Sequence, residues 1–324
     1  MPLSEFELIN RFFSHCGETR TDVVLGVGDD GAILECPPGS QLIAAIDSLV
    51  EAVHFPPGSP ARSIGHRALA VNLSDLAAMG AQPAWALLAL ALPEADAAWL
   101  GEFSAGLDAL ASEHGVALVG GDTTGGTLCV TVQILGFVPR GAALTRSGGR
   151  PGDAVFVSGT TGDSAAGLML EQSRLTLTDA AQAQWLLDRF RYPTPRVALG
   201  RALRGQASAC IDVSDGLLGD CGRLAVASGC GVSLDYAALP ISAALLAAVG
   251  AERAHELALT GGEDYELCFT VPRARLADFA TRCPAAEFGW SRIGTLTGEA
   301  GARVLQGETV MQVSHRGFDH FGGP

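Results

Sequence analysis

The most regular feature of the chain is a set of apolar runs that end in acidic residues. Four such runs are DVVLGVGDD ending at Asp30, LIAAID ending at Asp47, VALVGGD ending at Asp122, and ACIDVSD containing Asp212 and Asp215. Apolar and β-branched runs of this length, bounded by glycine and aspartate, are typical of buried strands. Their acidic ends predict that carboxylates collect at the ends of these elements instead of spreading over a solvated face.

A helical pattern separates the second of these runs from the third, over residues 61–81. Three leucines recur at i, i+4 and i+7 and predict one buried stripe: Leu69, Leu73 and Leu76. Asn72 and Asp75 are three positions apart, so they project together from a neighbouring face of the same helix. The pattern therefore predicts a helix that carries an acidic residue beside its buried side.

Turn-forming residues divide the chain near residue 148. GGRPGD concentrates glycine, proline and aspartate over residues 148–153, and a strand AVFVSG begins directly after it. Further elements are a helix over about 94–114 and strands over 231–235, 265–271 and 288–297. We therefore predict an α/β (α+β) protein with two domains, residues 1–147 and 148–324.

Composition and charge exclude several classes of partner. The chain has 324 residues, 48% of them hydrophobic, a net charge of −14, and 21 basic residues that are all arginine. An acidic chain without lysine is poorly suited to nucleic acid and to anionic membranes. The N-terminal MPLSEFELINRFF does not resemble a secretory signal, and the longest apolar run, residues 84–92, is too short to span a bilayer. We expect a soluble, cytoplasmic protein.

The acidic positions favour a hard cation. Carboxylates without histidine or cysteine companions suit Mg²⁺, which prefers oxygen ligands and commonly bridges protein carboxylates to phosphates. A single GDD or GGD segment is more often a polar turn, and Asp75 taken alone is equally a solvated helix residue. The adjacent Asp29 and Asp30 repel each other unless solvent, a cation or a ligand relieves the repulsion.

The absence of lysine restricts how phosphates could be bound. A P-loop requires GxxxxGK[ST] and a protein-kinase site requires a strand lysine, so neither is available. Mg²⁺, backbone N–H groups and arginine remain. Arg146 in LTRSGGR is a candidate for a phosphate contact and equally for a surface salt bridge. The segment TTGDSAAG is either a helix-opening anion site or an ordinary turn.

Eight segments in the same order resemble the thiamine-monophosphate kinase family. They are VGDDGAI, DSLVEAVHF, NLSDLAAMGAQP, VGGDTTGG, LTRSGG, SGTTGDSAAGL, IDVSDGL and LTGGEDYEL. The resemblance implies a homodimer with an aminoimidazole-ribonucleotide-synthetase-like fold, whose N-terminal domain binds ATP and dimerises and whose C-terminal domain is α/β. It also implies phosphoryl transfer from ATP, the co-substrate, to thiamine phosphate, with several Mg²⁺ ions, as the last step of thiamine diphosphate synthesis.

The resemblance further implies roles for individual residues. The Mg²⁺ ligands would be Asp30, Asp47, Asp75, Asp122, Asp212 and Asp215. The ATP contacts would be Gly121, Asp122, Arg146 and Ser214. The thiamine phosphate contacts would be His54, Glu263, and Phe318 or Phe321. Without the family, His54 reads as an ordinary histidine at the end of a strand. The aspartates are assigned to metal, so we expect direct in-line transfer without a phosphorylated residue.

One position departs from the family pattern. Family members usually carry a Ser-Thr pair before the aspartate at Asp47, whereas this chain has Ala45 and Ile46. A hydroxyl contribution is lost there. We therefore expect Ile46 to reach a metal ion through its backbone carbonyl and expect no such contact from Ala45.

Two kinds of alternative remain open at this point. Among related families, selenophosphate synthetase and aminoimidazole ribonucleotide synthetase use lysine-bearing glycine-rich segments, and the hydrogenase-maturation carbamoyl dehydratase ends in a functional cysteine. This chain has no lysine and ends HFGGP. An alternative from another class is a non-catalytic acidic metal-binding protein, which ATP-dependent product formation would exclude. The number of ions, a monovalent cation, the order of binding and product regulation are not predicted.

Overall fold

The chain folds into two compact units, each with its own sheet. The computed structural model describes residues 4–313 and 317. One unit comprises the residues up to Leu76 together with Ala81–Gly141, and the other comprises Ala77–Gly80 together with the residues from Ala142 onward. Both units combine helices with β-sheet. The predicted α/β (α+β) class is confirmed, and the ATP-binding and dimerisation roles of the first region stay predictions.

Within its described residues, the first unit contains three helices, a four-stranded sheet and a two-stranded ribbon. Its helices are α1 (Glu5–Phe12), α2 (Ala61–Ala78) and α3 (Ala97–His114). Its strands are β1 (Val23–Leu25), β2 (Ile33–Leu34), β3 (Ser40–Val50), β4 (Gln82–Leu92), β5 (Ala117–Gly125) and β6 (Cys129–Pro139). The sheet order is β3-β6-β4-β5, with β6 antiparallel to both neighbours and β4 parallel to β5.

Strand β4 contains the apolar run of residues 84–92, for which the sequence predicted no element. It lies inside the sheet between β6 and β5, and most of its side chains are buried. A strand buried on both faces does not alternate between apolar and polar residues, which explains why periodicity did not identify it. In the described part of the chain, no helix combines the length and apolar character needed to cross a membrane.

Helices α2 and α3 correspond to the two helices predicted in this half. The leucine stripe of α2 is completely buried, at 0% exposure for Leu69, Leu73 and Leu76. Asn72 is also fully buried, while Asp75 is half-buried. The predicted helix therefore turns its stripe inward and leaves Asp75 at the boundary of the buried side.

Two glycines allow α2 and α3 to approach closely. A Cβ atom at Gly65 would lie 2.0 Å from the carbonyl oxygen of Phe103, and one at Gly106 would lie 2.0 Å from that of Arg62. Both distances are far below van der Waals contact with a backbone atom, which cannot rotate away. The backbones of the two helices therefore touch at positions that accept only glycine.

The second unit contains a seven-stranded sheet and eight helices within its described residues. Its strands are β7 (Ala154–Ser158), β8 (Ala209–Val213), β9 (Gly231–Asp235), β10 (Glu266–Val271), β11 (Trp290–Thr297), β12 (Ala302–Gln306) and β13 (Thr309–Val310). Its helices are α4 (Asp163–Glu171), α5 (Ala180–Arg191), α6 (Val197–Ala202), α7 (Leu217–Ala227), α8 (Ala243–Val249), α9 (Ala251–Thr260), α10 (Leu276–Arg282) and α11 (Ala285–Phe288). The sheet order is β13-β12-β9-β11-β7-β10-β8.

Strand β8 carries the ACIDVSD segment and ends beside α7. All five of its residues are buried, and it pairs antiparallel with β10 at the edge of the sheet. Ile211 and Val213 share a hydrophobic cluster with Leu217, Leu218 and Leu224 of α7. Core packing therefore fixes the position from which the residues after β8 emerge.

Candidate functional site

In the first unit, the loop after β1 and the middle of β5 line one cavity of about 460 Å³. The loop contributes Val27, Gly28, Asp29 and Asp30, and β5 contributes Leu118, Gly120, Gly121, Asp122 and Thr123. Ile9 of α1, Phe13 directly after α1, and Leu88 of β4 add apolar surface. Carboxylates from two segments far apart in sequence thus line one cavity with a partly apolar wall.

The adjacent carboxylates of this cavity are both exposed. Solvent therefore relieves the repulsion between Asp29 and Asp30. Asp29 Oδ1 also accepts a hydrogen bond from the backbone N–H of Asp30 at 2.8 Å. Gly28, with φ 120°, provides the turn that precedes them. These carboxylates lie on an accessible loop, where a cation could reach them.

Gly121 allows β5 to lie tightly against β4. Its φ is 150°, and a Cβ atom there would lie 1.8 Å from the carbonyl oxygen of Leu88. No other residue fits this approach, because the contact is with backbone. Asp122 follows directly and is exposed.

Within one chain, the strand order separates the predicted metal ligands on β3 from the predicted ligand on β5. Asp47 and Ile46 lie on β3, at the opposite edge of the sheet from β5. The register places Asp47 level with Val132, Leu88 and Gly121 on successive strands. Three inter-strand steps of about 4.8 Å put the backbones of Asp47 and Gly121 about 14 Å apart. Asp47 and Asp122 therefore do not converge on one point in a single chain.

His54 lies in a turn that follows β3. Its Nδ1 accepts a hydrogen bond from the backbone N–H of Val50 at 3.0 Å, and its carbonyl oxygen accepts one from Arg67 Nη2 at 3.3 Å. A neutral ring that accepts at Nδ1 carries its proton on Nε2. The turn therefore fixes a tautomer in which Nε2 is a donor, as an anionic ligand would require.

Asp75 lies in the last turns of α2.

In the second unit, Asp220 organises the turn after β8. Its Oδ2 accepts hydrogen bonds from the backbone N–H groups of Ser214, Asp215 and Gly216, each at 3.1 Å. Its Oδ1 accepts one from Arg223 Nη1 at 2.5 Å, and the same Nη1 donates to Asp215 Oδ2 at 2.6 Å. Burial raises the pKa of Asp220, and the Arg223 guanidinium opposes that rise.

The sequence did not single out Asp220. It is 1% exposed and lies in the first turn of α7, where an acidic side chain can bind free backbone N–H groups. An aspartate four residues after the glycine of IDVSDG was the available signal. Asp212, at 5% exposure, is buried within β8 itself.

Two arginines line a second cavity, of about 640 Å³, in the same unit. Arg146 and Arg223 meet there with α7 residues Leu218, Gly219, Gly222, Ala225, Val226 and Ala227 and with Cys230, Gly301, Ala302 and Gly317. Guanidinium groups suit phosphate because they offer paired donors and a permanent charge. Arg223 also connects this cavity to Asp215 through their ion pair.

Glu263 lies in a turn between α9 and β10 that has an unusual backbone. Glu263 has φ 72° and Tyr265 has φ 51°, both in the left-handed region that is unfavourable for residues other than glycine. The N–H of Glu263 donates to the carbonyl oxygen of Ser214 at 2.7 Å, and the N–H of Tyr265 donates to that of Val213 at 2.9 Å. The structure therefore brings Glu263 beside the end of β8.

Asp264, between these two residues, joins the turn to the start of α4. It is 1% exposed, and its carboxylate accepts hydrogen bonds from the N–H groups of Gly162 at 2.6 Å and Ser164 at 3.2 Å. Burial raises the pKa of Asp264 to about 8, even though Arg189 and the two N–H groups oppose the rise. The TTGDSAAG segment therefore binds a protein carboxylate at this point.

Glu266, two residues after Asp264, forms ion pairs with two arginines. It is completely buried and accepts hydrogen bonds from Arg196 Nε and Nη2 at 2.6 Å and from Arg189 Nη2 at 2.8 Å. Burial alone would raise its pKa, but Arg196 and Arg189 hold the pKa of Glu266 below its usual range. A buried carboxylate that is ion-paired with two guanidinium groups therefore packs next to this turn.

The donor atoms around the first cavity fit Mg²⁺ better than a soft metal. Within residues 4–313 and 317, no group of three or more histidine, cysteine, aspartate or glutamate side chains is close enough to hold an ion alone. Mg²⁺ commonly takes only one or two protein carboxylates and completes its shell with water and substrate phosphates. Asp29, Asp30 and Asp122 offer that kind of incomplete, all-oxygen set. Phe318 and Phe321 lie outside the described residues.

Comparison with known proteins defines first the class of the chain. The AIR synthase related protein N-terminal domain matches residues 28–138, and the corresponding C-terminal domain matches residues 150–306. The two units and their sheets therefore form a two-domain protein of the AIR synthase related type.

Full-length relatives then define the family. Thiamine-monophosphate kinase of Escherichia coli K12 is 47% identical over 326 residues, which is 100% of both chains. The solved thiamine-monophosphate kinase of Stenotrophomonas maltophilia K279a is 44% identical with a TM-score of 0.85, over 94% of this chain and 97% of that one. AaThiL, solved in complex with AMPPCP and TMP, is 33% identical with a TM-score of 0.77, over 91% and 92%. The chain belongs to the thiamine-monophosphate kinase family, as its eight motifs predict.

Proposed function

We propose that this chain transfers the terminal phosphoryl group of ATP to thiamine phosphate, giving ADP and thiamine diphosphate in the last step of that cofactor's synthesis. The observation that carries the proposal is full-length similarity to thiamine-monophosphate kinases, at 47% identity for the Escherichia coli enzyme. AaThiL, which matches 91% of this chain, binds the ATP analogue AMPPCP together with TMP. The cytoplasmic location expected from the sequence stays a prediction.

The residues proposed to bind Mg²⁺ are the motif aspartates. They are Asp30, Asp47, Asp75, Asp122, Asp212 and Asp215, with the backbone carbonyl of Ile46. Support comes from the exposed carboxylates of Asp30 and Asp122 around one cavity. When bound, Mg²⁺ would screen the negative charge of ATP and of the acceptor phosphate.

The residues proposed to bind ATP are Gly121, Asp122, Arg146 and Ser214. Arg146 lines a cavity together with Arg223, and two guanidinium groups suit a polyphosphate in a chain without lysine. Close to Gly121, the backbone can approach a ligand because there is no side chain.

The residues proposed to bind thiamine phosphate are His54, Glu263, and Phe318 or Phe321. A carboxylate and an aromatic face both attract the cationic thiazolium ring. The Nε2 donor of His54 suits the phosphate. The anionic phosphate of the substrate would thus meet a hydrogen-bond donor, and its cationic ring would meet a carboxylate and an aromatic face.

The transfer is proposed to be direct and in line. The acceptor is already an anionic phosphate oxygen, so no strong general base is needed. The task of the protein is to align two anions that repel each other and to hold them in position. With chirally labelled ATP, we expect inversion at the transferred phosphorus, and retention would indicate a phosphorylated enzyme.

The chain is also proposed to act as a homodimer through the first unit. The edge strand β3 carries Leu42 and Ile46 on one face, exposed at 50% and 62%. The paired residues Phe137 and Gln133 on β6 are half-buried on the same face. A second copy covering this face would remove apolar surface from water.

Product formation tests the proposal directly. The purified chain is incubated with ATP, thiamine phosphate and Mg²⁺, and thiamine diphosphate is measured by chromatography. We expect product with ATP, none with AMPPCP, little after chelation by EDTA, and at least about a hundredfold less with Asp122→Asn. A chain that binds Mg²⁺ calorimetrically but forms no product would support the non-catalytic alternative.

A further inference from the structure

The side chain of Glu263 is held by a neighbour two residues along the chain. Tyr265 Oη donates a hydrogen bond to Glu263 Oε2 at 2.8 Å. Tyr265 is 7% exposed, whereas Glu263 is half-buried. We propose that Tyr265 is a positioning residue, which orients the carboxylate of Glu263 toward the cationic ring of thiamine phosphate. This inference rests on the proposed function; Tyr265 lies in the LTGGEDYEL segment, but the resemblance supplied a role only for Glu263 there.

The backbone of the turn is built so that these two side chains meet. Glu263 and Tyr265 both have positive φ, and such strain persists only where surrounding contacts impose it. Those contacts are the hydrogen bonds to the carbonyl oxygens of Ser214 and Val213 and the buried carboxylate of Asp264 on the start of α4. The turn is therefore fixed by three anchors that do not involve the phenol.

The phenol has a different task from these anchors. A glutamate side chain has three rotatable bonds, and immobilising it when a ligand binds costs entropy. Tyr265 is buried directly before β10, so its oxygen has a defined position. A hydrogen bond from a fixed donor restricts the carboxylate before substrate arrives, which lowers the cost of binding.

This division of tasks predicts which kinetic constant changes. Removing only the phenol oxygen leaves the two backbone hydrogen bonds and the Asp264 carboxylate in place, and with them the end of β8 where Ser214 is proposed to contact ATP. The affinity for thiamine phosphate should fall, while the use of ATP and the turnover at saturation should not. A residue that only stabilised the fold would change all constants or none.

The test is Tyr265→Phe, with Tyr236→Phe as the matched control. Tyr236 lies in the same unit but stacks on His255, with ring centroids 4.0 Å apart, and loses the same hydroxyl group. We expect Tyr265→Phe to raise KM for thiamine phosphate about tenfold, the size typical of one hydrogen bond to a charged group, and to change KM for ATP and kcat less than twofold. Tyr236→Phe should change none of the three.

A double-mutant cycle shows whether Tyr265 acts through Glu263. In the Glu263→Ala background, Tyr265→Phe should raise KM for thiamine phosphate less than twofold, because the acceptor is already absent. Three results would overturn this inference while leaving the proposed function intact. They are full additivity of the two substitutions, a rise of KM for ATP as large as that for thiamine phosphate, or unchanged kinetics in Tyr265→Phe when the wild type is active. A wild-type chain that forms no thiamine diphosphate would overturn the proposed function and this inference with it.

Discussion

Asp220 and Asp264 are buried acidic residues that bind backbone N–H groups of the protein itself. Asp220 holds the residues after β8, and Asp264 holds the start of α4 against the turn that carries Glu263. Both side chains are 1% exposed. At the residue scale, the ligand-facing groups thus depend on carboxylates that are not proposed to touch a ligand.

Asp220→Asn should weaken the ATP side of the site. The amide would turn a donor toward either Arg223 or the three N–H groups, leaving a buried polar group without its partner at a cost of about 1–3 kcal/mol. We expect KM for ATP to rise about tenfold and Tm to fall by several degrees. The control is Asp179→Asn, the same change at the exposed N-cap of α5. Equal effects in both variants would contradict the prediction.

Asp264→Asn should change how stability depends on pH. The ordinary pKa of 3.8 is raised to about 8 in the folded chain, mainly by burial, so the folded state holds a proton that the unfolded state releases. The contribution of Asp264 to stability is therefore fully present below about pH 4 and is lost as pH rises to about 8. Asparagine has no ionisable side chain, so the Asp264→Asn variant lacks this pH dependence.

Thermal melting of both proteins from pH 5 to pH 9 measures this effect. The Tm of the wild type minus that of Asp264→Asn should fall steadily up to about pH 8 and then level off. Titrations elsewhere in the chain affect both proteins and cancel in the difference. A difference that is constant or grows with pH would show that Asp264 is ionised in the folded chain.

At the element scale, the first unit depends on the contact between α2 and α3. Gly65 and Gly106 place the two helix backbones against each other, and the leucine stripe of α2 is completely buried. Both glycines lie inside helices, where glycine is unfavourable by about 1 kcal/mol relative to alanine. Close packing is therefore the reason for their presence.

Gly106→Ala should destabilise the chain, in spite of the better helix propensity of alanine. The new Cβ atom would meet the carbonyl oxygen of Arg62, so the helices must separate, at a net cost of about 1–3 kcal/mol. Gly101→Ala on the same helix is the control, because its nearest neighbour atom is Phe12 Cε1 at 3.9 Å. It should raise the free energy of unfolding by up to about 1 kcal/mol. Denaturant titration measures the free energy of unfolding of both variants. Changes of the same sign in the two variants would contradict the packing argument.

At the scale of the whole molecule, β3 presents apolar side chains at the edge of the first unit's sheet. Leu42→Glu should place a charge on the face proposed to pair with a second copy and so convert dimers to monomers. Val310→Glu is the control, since Val310 in the second unit is also 50% exposed. Light scattering after gel filtration should give a dimer for the wild type and the control. A monomeric wild type, or a dimeric Leu42→Glu variant, would exclude this interface.

The sequence by itself determined the features that depend on local spacing. The burial of Leu69, Leu73 and Leu76 follows from helical periodicity, and strand β7 follows from its apolar residues after a dense turn. The eight motifs predicted the family before any contact was known. Strand β4 was missed because burial on both faces removes the alternation that identifies a strand.

Only the tertiary structure decided which polar groups meet. Asp264 binds Gly162 across 102 positions of the chain, and the order β3-β6-β4-β5 separates Asp47 from Asp122 although both follow similar apolar runs. Tyr265 is close to Glu263 in sequence, but their hydrogen bond depends on a strained backbone that distant contacts impose. Periodicity and turn chemistry act between near neighbours, whereas strand order, strain and buried hydrogen bonds are set by packing between distant segments.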